Sequence, residues 1–173
     1  MRKYHDEEWG VPLHDDDKLF EFIVLDTFQA GLSWNAVLQK RNNFEKAFDN
    51  FNAKKISKYD EKKIALLLSD AGIIRNKLKV RATVTNAMAF LAIQKEFGSF
   101  DKYIWSFSKG KTISNKWKSQ QEFPSKNKIS DAMSADLYKR GFKFVGSTIC
   151  YAFMQAAGIV NDHLTSCFRY KEV

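Results

Sequence analysis

Both ends of the chain carry side chains that bind metal ions. His5 lies near the first residue, and His163 and Cys167 lie near the last. Residues four apart share one face of a helix or tight turn, so His163 and Cys167 can face one ion, and zinc accepts both ligand types. His5 could add a third ligand and connect the two ends. Structural zinc sites usually have four ligands, but no fourth is evident, because Cys150 lies in an apolar stretch typical of a core.

Three aromatic residues and one acid near the first end could bind a flat ring. Tyr4, Trp9 and Trp34 lie close in sequence, with Asp26 among them. Aromatic faces stack on planar rings, and a carboxylate accepts hydrogen bonds from ring or exocyclic N–H groups. The combination indicates recognition of a nucleobase. Helical periodicity alone favours another interpretation of Asp26, as a solvent-facing acid or a cap partner for Ser33.

Residues 68–77 have the pattern of two helices joined by a short hairpin around Gly72. Backbone N–H groups at such a turn can point at a phosphate, and Arg75 and Lys77 add positive charge. The segment therefore predicts a helix-hairpin-helix motif that binds DNA through Gly72, Ile73, Arg75 and Lys77. The alternative is an ordinary helix connection with Ile73 in the core.

Two further segments could reach a nucleic acid. Gly31 and Leu32 lie between two helices, so Leu32 could enter the gap left by a flipped base or be a routine core residue. Residues 108–128 are polar, basic and contain Pro124, which predicts a mobile surface loop. Its lysines could approach phosphates, although a solvated run is the favoured interpretation.

Length, charge and cysteine content set the broad class. A chain of 173 residues is one domain or two small lobes, and a net charge of +8 favours a polyanionic partner. No signal peptide and no apolar run long enough to cross a membrane is evident. Two cysteines do not make a disulfide framework, so we expect a cytoplasmic protein.

The elements that must position these residues are helices, and the chain is predicted to be all-α. No stretch shows the period-two alternation of strands. The expected helices are one opened by Asp15–Asp17 and ending at Gly31, one capped by Ser33, one capped by Asp60 over 61–69, one from Asn76 to Phe97 ended by Gly98, one capped by Ser130 and ended by Gly141, and an apolar central helix over 147–157.

Long motifs along the whole chain resemble the bacterial 3-methyladenine DNA glycosylase I family. The matching segments are Tyr-His-Asp-Glu-Glu-Trp-Gly-Val-Pro at 4–12, Gln-Ala-Gly-Leu-Ser-Trp at 29–34, Asp-Ala-Gly-Ile-Ile-Arg at 70–75, Lys-Arg-Gly-Phe-Lys-Phe-Val-Gly at 139–146, Thr-Ile-Cys-Tyr-Ala-Phe-Met-Gln-Ala at 148–156 and Gly-Ile-Val-Asn-Asp-His at 158–163. The resemblance implies a single domain over 1–173 with the helix-hairpin-helix glycosylase fold, and a zinc site that joins the termini.

The resemblance also implies an activity and roles for individual residues. The expected activity is monofunctional removal of 3-methyladenine from alkylated double-stranded DNA after base flipping, by a monomer with no obligate protein partner and no membrane association. Methylation at N3 makes the adenine cationic and a good leaving group, so a carboxylate can recognise its charge. Tyr4 and Trp34 would stack on the base and Trp9 would wall the pocket, Asp26 would be the pocket carboxylate, and the zinc ligands would be His5, His163 and Cys167.

Two departures from the family pattern keep alternatives open. The family usually has Glu where this chain has Asp26, so the acid is one methylene shorter. The family also usually begins earlier, with a cysteine that completes the zinc site and further aromatic residues in the pocket. We therefore expect an incomplete zinc site and base pocket, from a mis-assigned start, a trimmed chain or a zinc-free relative. The rival functions are damage recognition without cleavage and binding of RNA.

Overall fold

Helices form nearly all the regular structure in the computed structural model, which describes all residues from Met1 to Val173. No helix is long and apolar enough to span a bilayer. The α-helices are α1 (Arg2–Glu7), α2 (Asp16–Gln29), α3 (Trp34–Leu38), α4 (Arg41–Ala47), α5 (Ala53–Ile56), α6 (Glu61–Ser69), α7 (Lys77–Phe97), α8 (Phe100–Ser106), α9 (Lys128–Lys139) and α10 (Ser147–Ala156). Short 3-10 turns lie at Asp49–Phe51, Gln120–Glu122 and Phe168–Lys171.

Side-chain caps set most of the helix starts that the sequence predicts. Asp15 accepts a hydrogen bond from the Lys18 amide at 2.9 Å at the start of α2, and Asp60 does the same at α6. Asn76 caps α7, which ends at Gly98 with a φ of 87°. These residues satisfy backbone groups that the first and last turns leave unpaired, so the predicted boundaries of α6 and α7 are confirmed.

The start of α9 differs from the prediction. Asn127 caps this helix, and Ser130 is the third helical residue of a capping box. The Asn127 side chain accepts from the Ser130 amide, and the Ser130 hydroxyl accepts from the Asn127 amide, both at 2.8 Å. The sequence offers two capping residues three apart, and the reciprocal pair satisfies two amides where Ser130 alone would satisfy one.

Two helices form the centre of the molecule, where the sequence predicts one. Every residue of α2 from Leu19 to Phe28 is buried. The predicted central helix, α10, packs against both α2 and α9, but its Thr148 is exposed. Because neighbours surround α2 on all sides, its polar residues cannot be assigned to a solvent face by periodicity.

Residues 108–128 lie mostly at the surface, as the sequence predicts, but part of the segment is held against the rest of the protein. Ile113–Ser114 (β1) pairs in parallel with Val160–Asn161 (β2). The indole N–H of Trp117 and the side-chain amide of Asn115 both donate to Asp162, at 2.7 and 2.6 Å. These partners lie more than forty residues away, so local composition could not show that the segment is held down.

The segment after α1 packs against the carboxyl end of α10. The Gly10 amide donates to the Gln155 carbonyl at 3.0 Å, and the Leu13 amide donates to Ala157 at 3.1 Å. A Cβ on Gly158 would lie 2.4 Å from the backbone of Val11, so only glycine permits this approach. The packing brings the residues of α1 beside the end of α10 and the residues that follow it.

Candidate functional site

The predicted aromatic residues and Asp26 line one cavity of about 150 Å³. Tyr4 comes from α1, Trp9 follows it, Asp26 lies in α2, and Trp34 begins α3. The rest of the lining is Gln29, Ala152, Gln155 and Ala156. The structure therefore brings together all four residues that the sequence predicted to bind a base.

Tyr4 and Trp34 share this cavity but do not bracket an open slot. Their ring centroids are 5.3 Å apart with 50° between the planes, which is direct aromatic contact. A third ring does not fit between them in this arrangement. A flat ligand would instead stack on the free face of one ring or displace the other.

Asp26 is a buried carboxyl without a cationic partner. It is 2% exposed, and its Oδ2 accepts and donates no hydrogen bond within the protein. Burial raises the pKa of Asp26 well above its ordinary value, because the charged form loses its hydration. The alternative of a solvent-facing acid is thus wrong, since α2 has no solvent face at this position. The site is suited to a ligand that brings its own positive charge.

Two hydrogen-bond donors also belong to the cavity wall. The indole N–H of Trp34 is buried without an acceptor. Burial and the nearby carboxyls of Asp26 and Glu8 raise the pKa of Tyr4, so its hydroxyl keeps its proton. A buried polar group without a partner is uncommon, and the unpaired groups here surround a space that a polar ring could fill.

Arg41 fixes the wall that carries Tyr4, and sequence reasoning missed it. Its guanidinium donates to Glu8 beside α1 and to Glu21 of α2, each at 2.6 Å, and lies over the ring of Phe22. The bonds hold the α1 segment against α2. The partners of Arg41 are 33 and 20 residues away in sequence, so no local pattern identifies it.

The three predicted metal ligands lie close together. One ligand atom from each of His5, His163 and Cys167 lies within 4.8 Å of the others, and Cys167 Sγ is 3.6 Å from His5 Nε2. His5 Nδ1 bonds to Asp6 at 2.8 Å, and His163 Nδ1 bonds to Asn161 at 3.0 Å. Because carboxylate and amide oxygens accept, both Nδ1 atoms carry a proton, which leaves the two Nε2 atoms as the positions that can face a metal ion.

The surroundings of His163 fit a metal ligand. Its Nε2 is buried and has no hydrogen-bond partner. Burial, with His5 and Arg169 nearby, lowers the pKa of His163 to about 4, so the imidazole is neutral, as a ligand must be. Its ring lies edge-on to Trp9 at 4.6 Å, which connects this cluster to the cavity wall. Cys150 takes no part, since it is buried in the core and its thiol donates to Val145.

The hairpin between α6 and α7 places only some of its predicted contacts at the surface. Arg75 and Lys77 are exposed and face solvent. The Gly72 and Ile73 amides instead donate to Asp70, and the Ile73 side chain is buried. The amides at the start of α7 are also occupied, by the cap residue Asn76. Contacts of Gly72 and Ile73 with DNA remain a prediction, although the amides of both residues already have partners inside the protein.

Leu32 projects from a turn that the rest of the protein holds in place. It is 46% exposed and follows Gly31, whose φ is 78°. The buried ammonium of Lys79 donates to the carbonyls of Phe28 and Ala30 at the end of α2. A cation at a helix carboxyl terminus is favourable, and here it ties the turn to α7. An exposed leucine on a fixed turn can act as a wedge.

A second helix connection, between α9 and α10, has features of a phosphate contact that sequence reasoning missed. Phe144 has a φ of 58°, and the buried side chain of Asn86 pairs with both backbone groups of Lys143. Gly146 precedes α10 as its N-cap residue and has no side chain to cap it, so the first amides of that helix keep free N–H groups. The uncapped Gly-Ser-Thr start was visible in the sequence.

Comparisons with known proteins agree with this arrangement. The methyladenine glycosylase family matches residues 1–170. The chain is 46% identical to DNA-3-methyladenine glycosylase 1 of Escherichia coli (strain K12) over 167 residues, which cover 96% of this chain and 89% of that protein. It is 47% identical to DNA-3-methyladenine glycosylase of Haemophilus influenzae (strain ATCC 51907 / DSM 11121 / KW20 / Rd) over 164 residues, which cover 95% and 89%.

Solved structures give the same result. A crystal structure of 3-methyladenine DNA glycosylase I superposes with a TM-score of 0.94 at 47% identity, covering 96% of this chain and 92% of that one. A structure of the Staphylococcus aureus enzyme, described as the structural basis of 3-methyladenine recognition, superposes with a TM-score of 0.94 at 33% identity, covering 96% and 89%. The all-α fold of these glycosylases is the fold of this chain. The chain belongs to the methyladenine glycosylase family.

Proposed function

We propose that this protein is a monofunctional DNA glycosylase that removes 3-methyladenine from alkylated DNA. The observation that carries the proposal is the unpaired, buried carboxyl of Asp26 in a cavity walled by Tyr4, Trp9 and Trp34. Relatives that share almost half of the residues are named for this activity. A neutral base offers such a carboxyl no charge, whereas an N3-methylated adenine does.

The chemistry needs little acid–base assistance. The methylated base is cationic while attached to deoxyribose, and it leaves as a neutral base when it retains the electron pair of the N-glycosidic bond. Water then adds to the sugar carbon and releases one proton. Asp26 stabilises the cationic base and the positive charge that moves to the sugar as the bond breaks, in a cavity where hydration does not weaken the interaction. The aromatic walls hold the flipped base by stacking.

DNA would be bound on the side that presents Leu32, Arg75 and Lys77. Flipping a base leaves a gap in the stack, which Leu32 can fill with an apolar side chain. Exposed Arg75 and Lys77 neutralise phosphates near the lesion, and the free amides at the start of α10 can receive another. Contacts with the DNA phosphates would thus position the protein on the duplex, and the cavity would select the damaged base.

We further propose that His5, His163 and Cys167 bind one zinc ion with a structural role. Two imidazole nitrogens and one thiolate are ligand types that zinc prefers, and a fourth position stays open to water or another ligand. Zinc would lock the end of the chain against α1 and thereby hold Trp9. We also propose that the protein acts as a monomer without an obligate protein partner.

Release of free base from methylated DNA tests the main proposal. The wild-type protein should release 3-methyladenine, measured by chromatography of the soluble fraction. Asp26→Asn keeps the size of the side chain and removes its charge, and we expect it to slow release by about a hundredfold. Asp17→Asn, at an exposed position of the same helix, is the matched control and should keep the wild-type rate. Binding of damaged DNA without base release would favour the rival function of a damage-recognition protein.

A further inference from the structure

Gln155 is a polar residue of the cavity with no role in breaking the N-glycosidic bond. It lies in the last turn of α10, and its side chain lines the cavity together with Asp26 and Trp34. Its own carbonyl accepts the hydrogen bond from Gly10 that holds the amino-terminal segment. The backbone of Gln155 is therefore fixed on the cavity wall.

The buried carboxylate of Asp162 fixes the orientation of the Gln155 amide. Gln155 Nε2 lies 2.9 Å from Asp162 Oδ2, which also accepts from the Tyr151 hydroxyl at 2.8 Å. Asp162 Oδ1 accepts from Asn115 and Trp117. A carboxylate surrounded by four donors acts only as an acceptor, so Gln155 must turn its NH₂ group toward Asp162. The usual ambiguity between amide oxygen and nitrogen is thus removed here.

The locked amide leaves Gln155 Oε1 as a free acceptor. No group of the protein donates a hydrogen bond to this oxygen, and it is not sealed in the core. Because the side chain borders the cavity, the oxygen is available to a ligand there. A ligand with an N–H at that edge gains a hydrogen bond to Gln155 Oε1. A ligand with an oxygen there places two acceptors against each other with no proton between them.

Asp26 cannot make this distinction by itself. With a neutral free base in the cavity, Asp26 keeps its proton, and a protonated carboxyl donates as well as accepts, so Asp26 could bond either to an amino group or to an oxo group. The Gln155 amide cannot invert while Asp162 holds it. Gln155, in contrast, offers the cavity only an acceptor and can therefore distinguish the two kinds of base edge.

We propose that Gln155, oriented by Asp162, makes the site specific for 6-amino purines over 6-oxo purines. The inference rests on the proposed function, since it concerns the base that the cavity binds. Gln155 Oε1 accepts a hydrogen bond from the exocyclic amino group of 3-methyladenine. The same oxygen rejects 3-methylhypoxanthine, which carries an oxygen at position 6.

Titration with the two free bases tests the proposal. Intrinsic tryptophan fluorescence reports binding of 3-methyladenine and 3-methylhypoxanthine, and the measured quantity is the ratio of their affinities. The wild-type protein should prefer the amino base by at least about tenfold, as expected for one hydrogen bond gained against one acceptor left unpaired. Gln155→Met has a similar shape without polar atoms, so its ratio should fall to within about threefold of unity. Gln39→Met, at an exposed position of the chain, should keep the wild-type ratio.

Asp162→Asn supplies a second variant with a different expected outcome. Asn115 and Trp117 still require an acceptor at the Oδ1 position, so the new NH₂ group should occupy the Oδ2 position. There it can donate to Gln155 Oε1 and to the Tyr151 hydroxyl, which accepts once its proton turns away. The Gln155 amide would then invert and present its own NH₂ group to the cavity. We expect the preference to shift toward 3-methylhypoxanthine by about tenfold or more.

The outcomes separate this inference from the proposed function. An unchanged ratio in Gln155→Met, with the wild-type melting temperature, overturns the role of Gln155 and leaves the glycosylase function intact. Equal binding of both bases by the wild-type protein also overturns the role of Gln155 and leaves the glycosylase function intact. A wild-type protein that binds neither base and releases none from methylated DNA overturns both. Should Asp162→Asn fail to fold, Gln155→Met decides the question.

Discussion

At Asp26, ligand binding and stability make opposite demands. A carboxyl without a partner in the core costs free energy, because either its charge or its hydrogen-bonding capacity is unsatisfied. The same features make it a strong site for a cationic base. Such a residue is a typical place for stability to be lost in exchange for function.

Asp26→Asn should therefore gain stability relative to the wild type as pH rises. The pKa of Asp26 is higher in the folded state than in the unfolded state, so the folded protein loses stability as pH rises through the folded pKa. Asn has no such titration. Urea unfolding should show the variant gaining stability relative to the wild type as pH rises above the ordinary aspartate pKa of about 3.9. A stability difference that does not change with pH would contradict the assignment.

Trp34 should contribute directly to binding of the free base. Loss of a stacking partner is worth roughly 1–3 kcal/mol, so Trp34→Ala should weaken binding of 3-methyladenine by about ten- to a hundredfold. Titration with unchanged circular dichroism is the measurement. Tyr138→Ala removes a half-exposed aromatic side chain from α9 and should not change the affinity.

Part of this site could be identified from side-chain types in the sequence. The rest could not, because its residues are defined by partners that are distant in sequence. Tyr4, Trp9 and Trp34 could be selected from the sequence because aromatic residues close together near an acid are unusual. Periodicity misassigned Asp26, since it assumes that a helix has a wet face. Arg41 and Gln155 could not be found, because the Glu8 and Asp162 partners that define them come from other elements.

At the scale of elements, the position of α1 depends on Arg41, because the helix is too short to be stable by itself. A helix of six residues is not stable alone, so its position must come from tertiary contacts. Arg41 supplies one of these contacts through Glu8, which caps the end of α1, and its other partner, Glu21 of α2, is buried.

Arg41→Met should destabilise the fold by about 3–5 kcal/mol, because it leaves the Glu21 carboxylate with less compensation in the core. It should also weaken binding of 3-methyladenine, since Tyr4 loses its support. The matched control is Arg81→Met, which breaks a solvent-exposed pair with Glu61 and should destabilise the fold far less than Arg41→Met. Urea unfolding of both variants gives the comparison, and equal losses would refute the role of Arg41.

The hairpin before α7 should act through charge, because its amides are already occupied. Arg75→Gln should reduce the slope of log affinity against log salt for methylated duplex DNA by about one. The matched neutralisation, Lys54→Gln on α5, should leave the slope unchanged. Fluorescence anisotropy at several salt concentrations measures both, and an unchanged slope for Arg75→Gln would remove this residue from the interface.

Helices could be predicted because their start and end signals are local. Asp60, Asn76 and Gly98 each act within four residues, and the structure has them as predicted. The pairing of β1 with β2 could not be predicted, because two-residue strands have no period to detect. The anchoring of the segment 108–128 could not be predicted for the same reason, since the residues that hold it lie near the other end of the chain.

At the scale of the whole molecule, the chain closes on itself beside the base cavity. His5 comes from α1, whereas His163 and Cys167 come from the last residues. A Cβ on Gly10 would lie 2.8 Å from the His163 ring, so the two ends meet without spare room. The cluster and the cavity share a wall, because Trp9 contacts His163. A metal at the cluster would therefore affect both overall stability and the position of Trp9.

Zinc should raise the melting temperature of the wild-type protein, because a ligand that binds only the folded state stabilises it by about 2.7 kcal/mol at a hundred times its dissociation constant. Cys167→Ser and His163→Ala each remove one ligand, so both should lose most of this response and retain less zinc in elemental analysis. His14→Ala is the matched control, since His14 is exposed and lies outside the cluster, and it should respond like the wild type. Three ligands bind less tightly than a closed set of four, so a chelator should reverse the stabilisation. If wild-type protein purified with zinc holds far less than one ion per chain and melts as the variants do, the ends are joined by packing alone.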